Sequence, residues 1–231
     1  MYKEKFNYPK VIKESTGEAG RVYFIELDGK QYDPVYSVTT ILSKMSDKKE
    51  IIEEWKRTIG HKNAQAILDK SVNYGNTMHD ILYHQLVGTP DYEKLFKPNF
   101  IFKVSGAMAQ KIWDVGLKDV DEIWGAEVPV FVPNCYAGRT DLVGLYKGEP
   151  SIIDFKNAYK EKDEQYMEDY FVQASAYAVA HDYLFDTEIN QCVIMVANSD
   201  NVSVKVVIRS GDEFKKYKEM WLDILDSYYA R

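Results

Sequence analysis

Cysteine is scarce in this chain, with 2 among 231 residues. Two thiols, Cys135 and Cys192, cannot by themselves form a four-cysteine zinc or iron–sulfur site. Long apolar runs are also absent, since no stretch approaches the roughly 18 residues that a membrane-spanning helix needs. Residues 1–6 have neither the apolar segment of a secretory signal nor the Arg- and Ser-rich character of a transit peptide. We therefore expect a soluble protein of a reducing compartment such as the cytoplasm.

An excess of positive charge is missing as well, because the formal net charge is −7 at pH 7. Nucleic-acid-binding domains are more often basic, so this balance counts against such a partner. The objection is limited, since metal-binding carboxylates and an acidic outer surface can coexist with a local basic channel. The basic residues that could line such a channel are Lys44, Lys48, Lys49, Lys56, Arg57, Lys62, Lys156, Lys160 and Lys162. For most of the first six, a solvated helix face is the favoured interpretation, because carboxylates are interspersed among them.

The chain is long enough to bury one good core, and 45% of its residues are hydrophobic. We expect a single domain over residues 1–231, with an N-terminal hairpin extension (1–36), a helical region (37–118) and an α/β core (119–231) that carries the chemistry. The apolar pattern predicts a hairpin at 21–32, a helix capped by Ser37, a helix capped by Asp47, and a loop or lid at 89–99. Further helices are predicted at 62–86, 100–117, 166–185 and the C-terminus, and strands at 126–132, 138–144, 151–155, 191–197 and 202–208. This order is typical of an α/β or α+β domain.

Two carboxylates and a lysine occur around what reads as one β-hairpin, in the segments 138–144 and 151–156. Asp154 and Lys156 are two residues apart in a strand, so they project to the same face. If Asp141 lies opposite them, two hard oxygen donors and a cation meet at a strand end. That arrangement suits Mg²⁺ or Mn²⁺ and phosphodiester hydrolysis. A plain ion pair is the simpler alternative, although a strand this apolar should not carry Asp and Lys unless they pair or bind something.

Five short motifs follow one another along the chain, at residues 75–80, 127–130, 138–144, 152–156 and 173–177. In this order and with these predicted elements, residues 37–229 resemble the RecB-like exonuclease branch of the PD-(D/E)xK nuclease superfamily, which includes mitochondrial genome maintenance and phage exonucleases. The resemblance implies a restriction-endonuclease-like fold, in which helices flank a central mixed sheet and the helical N-terminal half forms an arch. It also implies a metal-dependent DNA exonuclease that acts on single-stranded ends.

The resemblance assigns roles to the residues of these motifs. Asp141 and Asp154 match the family's metal ligands, and Lys156 matches the lysine that positions or activates the attacking water. His79 lies on a helix where the family often presents a metal-binding imidazole, which would favour Mn²⁺; a phosphate contact is the other role considered. Glu127 matches a family acidic residue and is a ligand, an orienting residue or simply exposed.

The resemblance also implies contacts with the substrate. Gln173 and Tyr177 are four residues apart, hence on one helical face, and match a Q-x-x-x-Y signature that orients the active site and contacts DNA. The alternative is a polar residue beside a core aromatic residue. Ser37 and Thr39 open a helix whose backbone N–H groups could hold a phosphate, or could form an ordinary cap. Asn157 stands where the family usually has Thr or Ser.

Some residues are expected to have only structural roles. The helix at 62–86 is expected to bury its apolar side chains, which are Ala66, Ile67, Met78, Ile81, Leu82 and Leu86. Gly75 within that helix predicts close packing against a neighbour. The three remaining histidines, His61, His84 and His181, belong to no motif and are expected at the surface.

The sequence therefore predicts a nuclease that uses Mg²⁺ or Mn²⁺ and binds single-stranded DNA, with replication or recombination proteins as candidate partners. A structure-specific flap endonuclease on the same scaffold is one alternative. The CRISPR-associated adaptation nucleases are another, although the cysteines of their iron–sulfur cluster are missing here. A catalytically silent DNA-binding module is the third. The oligomeric state, the cleavage polarity and the choice between DNA and RNA stay open.

Overall fold

The computed structural model describes residues 2–46 and 48–230, so the predicted helix cap Asp47 lies outside the described residues. Within these ranges the chain forms nine β-strands and six α-helices. The strands are β1 (Lys10–Gly17), β2 (Gly20–Leu27), β3 (Lys30–Gln31), β4 (Val35–Ser37), β5 (Val120–Val132), β6 (Tyr136–Tyr146), β7 (Glu149–Ala158), β8 (Gln191–Asn198) and β9 (Val204–Ser210). The helices are α1 (Val38–Met45), α2 (Lys48–Ile59), α3 (His61–Leu86), α4 (Phe100–Val115), α5 (Glu168–Phe185) and α6 (Gly211–Tyr229).

All the described strands belong to one mixed sheet. Its order is β1-β2-β4-β6-β7-β8-β9, with β3 paired to β2 and β5 paired to β6. The β4–β6 and β7–β8 pairs are parallel and the others are antiparallel. This architecture confirms the predicted mixed α/β fold, which is consistent with a restriction-endonuclease-like sheet flanked by helices.

Helices cover both faces of the sheet, and the central strands alternate accordingly. Ile152 of β7 belongs to the core shared with α1, α5 and α6, whereas its neighbour Ile153 belongs to the core shared with α3 and α4. Along β8, Cys192 and Ile194 face the first core while Val193 faces the second. A strand buried on both faces reads as a continuous apolar run, which is why these strands could be predicted. None of the helices in the described ranges is long and apolar enough to cross a bilayer.

The first strand was not predicted. β1 pairs with β2 over residues 10–17, so the N-terminal hairpin is larger than the predicted one at 21–32. Its sequence lacks an apolar alternation because nearly all of its side chains are exposed. Strand β1 lies at the edge of the sheet, where a polar sequence can be tolerated and leaves no hydrophobic signal.

The sheet opens at one place in its middle. Strand β4 pairs with β6 only at Tyr136 and Ala137, and β7 pairs with β6 only from Leu142 to Tyr146. Residues 138–140 of β6 therefore pair with β5 alone, and Asp141 pairs with neither β4 nor β7. We call this interruption the sheet gap. It matters because side chains from opposite faces of the sheet can meet only where the sheet itself is interrupted.

The first turns of the long helix α3 extend away from the core. Met78, Ile81 and Leu82 are buried as predicted, but Ile67 is half exposed and Ala66 is exposed. The prediction for these two residues is wrong because apolar spacing alone cannot show where the neighbouring layer ends. Helix α4, which packs on α3, contacts its second half, where Ser105 donates a hydrogen bond to the Tyr74 carbonyl oxygen (3.0 Å).

His181 is fully buried, so its predicted place at the surface is wrong. Helix α5 lies between the sheet and α6 and is buried on almost every side, including at this position. The imidazole Nε2 lies 3.1 Å from the Tyr8 hydroxyl and Nδ1 lies 2.8 Å from the Thr187 hydroxyl. The ring also contacts Phe6 and stacks on Trp124, so it ties the segment before β1 to the core. Of the other two histidines, His61 is exposed as predicted and His84 is half-buried.

Burial lowers the pKa of His181 to about 4. An unfolded histidine has a pKa near ~6.5, so the unfolded chain binds this proton first as the pH falls. We therefore expect the free energy of unfolding to fall by roughly 1 kcal/mol between about pH 7.5 and pH 5.5 because of His181 alone. Urea unfolding of the wild type and of His181→Gln measures this difference.

The Gln variant should be less stable at neutral pH but should lose less stability on acidification. His61→Asn, at an exposed position, is the matched control and should keep the pH dependence of the wild type. Parallel pH profiles for the wild type and His181→Gln would contradict the assignment.

Candidate functional site

A cleft of about 780 Å³ opens at the sheet gap. Its walls come from the β1–β2 hairpin, the start of α1, the middle of α3, strands β5, β6 and β7, and helix α5. The cleft contains all the site residues predicted from the sequence, namely Ser37, Thr39, His79, Glu127, Asp141, Asp154, Lys156, Gln173 and Tyr177. Tertiary structure thus brings together residues that are up to 140 positions apart in the chain.

Glu127 and Asp141 face each other across the β5–β6 pair, since Ala126 pairs with Leu142 and Val128 with Thr140. Regular alternation fails at this point. Val128 belongs to the core on the α5 side and Ala126 to the core on the α3 side, although even-numbered residues of a regular strand share one face. The cause is visible at Glu127, whose φ of 52° lies in the left-handed region that non-glycine residues rarely adopt. Such strain is typical of functional sites, where the surrounding structure maintains it.

His79, Glu127 and Asp141 form a compact group of ligand atoms, which we call the metal triad. Their donor atoms all lie within 4.8 Å of one another. The Nδ1 atom of His79 lies 3.3 Å from Asp141 Oδ1 and 3.8 Å from Glu127 Oε1. Each side chain comes from a different element, α3, β5 and β6, so the triad exists only in the folded chain.

The second carboxylate oxygen of Asp141 accepts a backbone hydrogen bond at the point where β6 and β7 stop pairing. The last β6–β7 pair is Leu142 with Ile153, and just beyond it Asp141 Oδ2 accepts a hydrogen bond from the Phe155 backbone N–H (2.6 Å). The carboxylate thereby replaces a missing backbone acceptor at the edge of the sheet gap. Asp141 Oδ1 stays directed at His79, so the two oxygens have separate tasks.

Asp154 and Lys156 form a buried ion pair, with Lys156 Nζ 2.5 Å from Asp154 Oδ2. This confirms that the two side chains share a face. The oxygen is fully enclosed and makes no hydrogen bond of good geometry despite this short contact. Asp154 Oδ1 accepts a long hydrogen bond from Gln173 Nε2 (3.4 Å). Asp154 is therefore close to the metal triad without belonging to it.

Gln173 and Tyr177 lie on the face of α5 that borders the cleft. Gln173 Nε2 donates to the Tyr177 hydroxyl (2.9 Å) as well as to Asp154. The Tyr177 ring rests directly on Gly138, where an added Cβ would lie 2.3 Å from the ring. The glycine of the 138–144 motif is thus needed for contact with α5, not for an unusual backbone angle.

The titratable groups of the cleft are strongly coupled through burial and charge. Burial alone would lower the pKa of His79, but the charge of Asp141 and the hydrogen bonds to Asp141 and Glu127 outweigh it and raise the pKa. Burial raises the pKa of Glu127 and of Asp154. Burial also acts to raise the pKa of Asp141, yet the charges of His79 and Lys156 lower it overall. Glu127 and Asp154 are therefore short of compensating positive charge, whereas Asp141 is not.

This donor set fits a divalent metal ion. One imidazole nitrogen and two carboxylates are ligands that Mg²⁺ or Mn²⁺ accept, and the three protein donors leave positions for water and substrate. The enclosed Asp154 Oδ2, which has no hydrogen bond of good geometry, marks a further anionic acceptor close by.

Ser37 and Thr39 occupy the start of α1 at the rim of the cleft. Ser37 Oγ accepts from the Thr40 backbone N–H (3.0 Å), which confirms the predicted cap. Thr39 is exposed to the cleft, with its hydroxyl 3.1 Å from Ser37 Oγ. The Ser37 hydroxyl is therefore already engaged by the helix itself.

Several cleft residues were assigned no role from the sequence. Arg21 and Tyr23 reach the cleft from β2, Asn76 and Asp80 from α3, and Arg139 from β6. Asn76 and Asp80 lie inside the 75–80 motif and Arg139 inside the 138–144 motif, but none of the three was assigned a role. Arg21 and Tyr23 lie outside every motif, and their place depends on how the hairpin packs, which no local pattern reveals. Among the residues of the predicted basic channel whose side chains the structure describes, Lys156 alone lines this cleft.

Asn157 attaches β7 to the long helix. Its side-chain amide donates to the Ser71 carbonyl oxygen (3.0 Å), and an added Cβ at Gly75 would lie 2.6 Å from its Oδ1. This accounts for the predicted close packing at Gly75. The contact lies one helical turn from His79 and thus sets the position of α3 against the strand that carries Lys156.

No protein-family model and no curated protein matches this chain. Among solved structures, the chain is similar to a protein from Eubacterium rectale named "Putative exonuclease", with a TM-score of 0.50 and 13% sequence identity. The match covers 70% of this chain and 65% of that protein, which is less than two thirds of its length. At this level of identity the likeness concerns the fold alone.

The contact between Gly138 and Tyr177 can be tested by Gly138→Ala. The added methyl group would displace the buried ring, so we expect a loss of about 2 kcal/mol in the free energy of unfolding, measured in urea. Gly17→Ala is the matched control, because it lies in a strand with nothing within 4 Å of the new atom. Equal stability of the two variants would contradict the close packing of α5 on β6.

Metal binding by the triad can be measured without any substrate. Saturating Mn²⁺ should raise the melting temperature by about 5 °C or more, because an ion that binds only the folded chain stabilises it. The shift should disappear in His79→Asn, Glu127→Gln and Asp141→Asn. Asp114→Asn, on the exposed surface of α4, should keep it. An unchanged shift in all the triad variants would show that the ion binds elsewhere.

Proposed function

We propose that this protein is a metal-dependent deoxyribonuclease, an exonuclease that hydrolyses phosphodiester bonds from single-stranded DNA ends. The observation that carries the proposal is the meeting of the metal triad with the Asp154–Lys156 pair at the sheet gap. Three ligand side chains, a further carboxylate and a buried lysine are a sufficient set for hydrolysis of a phosphate ester. The fold shared with the E. rectale protein agrees with this assignment.

The roles follow from the positions of the side chains. His79, Glu127 and Asp141 would hold Mg²⁺ or Mn²⁺, with Asp154 beside them. The ion supplies charge stabilisation for the phosphate and a lower pKa for a bound water. Lys156 is buried against Asp154, so its ammonium group is fixed where it can orient the attacking water and offset the charge that develops on the phosphate oxygens. Gln173 donates hydrogen bonds to both Asp154 and Tyr177. Gln173 and Tyr177 would therefore orient the Asp154 carboxylate and border the path of the DNA strand.

The charge balance of the cleft explains a dependence on metal. Among the described side chains, its lining has six carboxylates, Glu4, Glu14, Asp80, Glu127, Asp141 and Asp154, against three permanent cations, Arg21, Arg139 and Lys156. A polyanion such as DNA is repelled by such a surface unless divalent cations compensate the excess. The overall negative charge of the chain is therefore compatible with a nucleic-acid substrate that binds together with metal.

The preference for a free end is proposed from the wall that α3 forms. Tyr83 and His84 of α3 line the cleft, and the following segment, predicted as a loop or lid, packs against His84. His84 Nδ1 lies 3.0 Å from the Thr89 hydroxyl, and its ring stacks on Tyr92. We propose that α3 and this segment form the side of the arch beneath which a single strand is threaded.

The proposal is tested with end-labelled single-stranded DNA, in linear and circular form, in Mg²⁺, in Mn²⁺ and in EDTA. We expect stepwise shortening of the linear strand only, abolished by EDTA. Asp141→Asn, Asp154→Asn and Lys156→Gln should each fold and lose at least about 100-fold in rate. Asp114→Asn is the surface control and should cleave at the wild-type rate.

The alternative functions give different results in the same assay. Cutting of the circle would indicate an endonuclease on the same scaffold. Binding without any cutting would indicate a silent DNA-binding module. Full activity in all three site variants would place the reaction elsewhere in the molecule and overturn the proposal.

A further inference from the structure

Arg139 is a permanent cation in the cleft, and within the described ranges its side chain makes no contact that the fold depends on. It is exposed, and among the described residues its guanidinium has no hydrogen bond or ion pair. It lies in the sheet gap, two residues before Asp141, and its charge contributes to lowering the pKa of Glu127 against the dominant effect of burial. An arginine held beside a metal site without a carboxylate partner is free to bind an oxyanion.

Arg21 is a second cation in the cleft, and its backbone is firmly held. Its N–H donates to the Thr40 hydroxyl (2.8 Å), and the same hydroxyl donates to its carbonyl oxygen (3.4 Å). Gly20 packs so closely on Thr40 that an added Cβ would lie 2.2 Å from it. The hairpin is thus fixed on the start of α1, which places Arg21 over the cleft.

The Arg21 side chain, unlike its backbone, is only loosely engaged. Its Nε lies 3.2 Å from Glu14 Oε1, a diagonal neighbour on β1, and a guanidinium nitrogen lies 3.4 Å from the Tyr23 hydroxyl. Both members of the ion pair are about 40% exposed, at 46% and 37%. An exposed pair of this kind contributes little to stability, so a phosphate can displace the carboxylate at small cost.

These two arginines and Lys156 line the same cleft. Arg21 is on β2, Arg139 on β6 and Lys156 on β7. Because β5 occupies one edge of β6, β4 and β7 both pair with the other edge, and Arg21 and Lys156 therefore reach the cleft from the same side of β6. Neighbouring strands are ~4.8 Å apart, so the backbone of Arg21 lies roughly 10 Å from β6. We call these three cations the cation row, and the metal triad lies beside its member on β6, Arg139.

We propose that the cation row binds the backbone of a single-stranded polynucleotide, with Arg139 and Arg21 contacting the phosphates next to the one at the metal triad, and with Glu14 competing for Arg21. This inference rests on the proposed function and names the path of its substrate. The strand would run across the β-strands from the metal triad toward the β1–β2 hairpin. Duplex contacts are not required, because each arginine reaches one phosphate at a time.

The row predicts a dependence of binding on substrate length. Dissociation constants are measured in Ca²⁺, which fills oxygen-rich sites, for a fluorescent thymidine dinucleotide and octanucleotide. Arg21→Gln and Arg139→Gln should each raise the dissociation constant of the octanucleotide about five- to tenfold and leave that of the dinucleotide nearly unchanged. The slope of log affinity against log salt should fall by about 0.7 for each arginine that no longer neutralises a phosphate. Lys111→Gln, an exposed charge on α4 outside the cleft, is the matched control.

Glu14→Gln gives a result of the opposite sign. Removing the competing carboxylate should lower the dissociation constant of the octanucleotide by roughly threefold. This gain should vanish when Arg21→Gln is also present, because the two side chains act through one ion pair. A general effect of net charge would instead tighten binding whether or not Arg21 is present.

The outcomes separate this inference from the proposed function. If the wild type shortens DNA and both arginine variants bind the octanucleotide like Lys111→Gln, the cation row is wrong while the nuclease stands. If the octanucleotide binds as described but nothing is cut, the cation row stands and the nuclease is wrong. If the arginine variants bind both oligonucleotides equally more weakly than the wild type does, the substitutions have damaged the site as a whole and the cation row is wrong. Absence of both binding and cleavage would overturn both.

Discussion

The interruption of the sheet between β4 and β7 is the constraint on which the rest of the molecule depends. Two strands pair with the same edge of β6 at its two ends and leave residues 138–141 between them unpaired on that side. A continuous sheet would keep His79 on one face apart from Gln173 and Tyr177 on the other. The gap lets side chains from α3 and α5 reach one cleft, and it also leaves the Phe155 N–H without a strand partner, which Asp141 satisfies.

The cleft concentrates negative charge that the protein alone does not neutralise. Three buried or half-buried carboxylates lie close together, and the nearest cations, His79 and Lys156, are held by them rather than by the surrounding protein. Burying three carboxylates together is energetically costly unless a further cation, such as a bound metal ion, compensates their charge. The left-handed backbone at Glu127 adds to this local cost. The cleft is therefore locally destabilised, whereas β7, β8 and the helices around them are well packed on both faces. Local destabilisation within a well-packed fold is typical of a ligand-binding site.

The β1–β2 hairpin shows how an edge feature can extend a site. Its outer strand is polar and exposed, and it contributes little to either main core. Its contact with α1, through Gly20 and Thr40, is nonetheless tight enough to fix Arg21 over the cleft. The opposite wall, α3, is positioned by Asn157 and Gly75 in a comparable way. Both walls are thus set by contacts of small residues with polar side chains.

Sequence alone determined the elements whose side chains face a core on both sides, such as β7 and β8, because burial on two faces leaves a continuous apolar run. It also determined which residues could belong to one site, since Asp154 and Lys156 must share a face of a strand and Gln173 and Tyr177 a face of a helix. Only the tertiary structure decided that Glu127 joins His79 and Asp141 while Asp154 pairs with Lys156, that His181 is buried, and that Arg21 reaches the cleft. These outcomes depend on the sheet gap, on the environment of α5 and on the docking of an edge hairpin. Each is set by contacts between residues far apart in the chain, which leave no periodic pattern in the sequence.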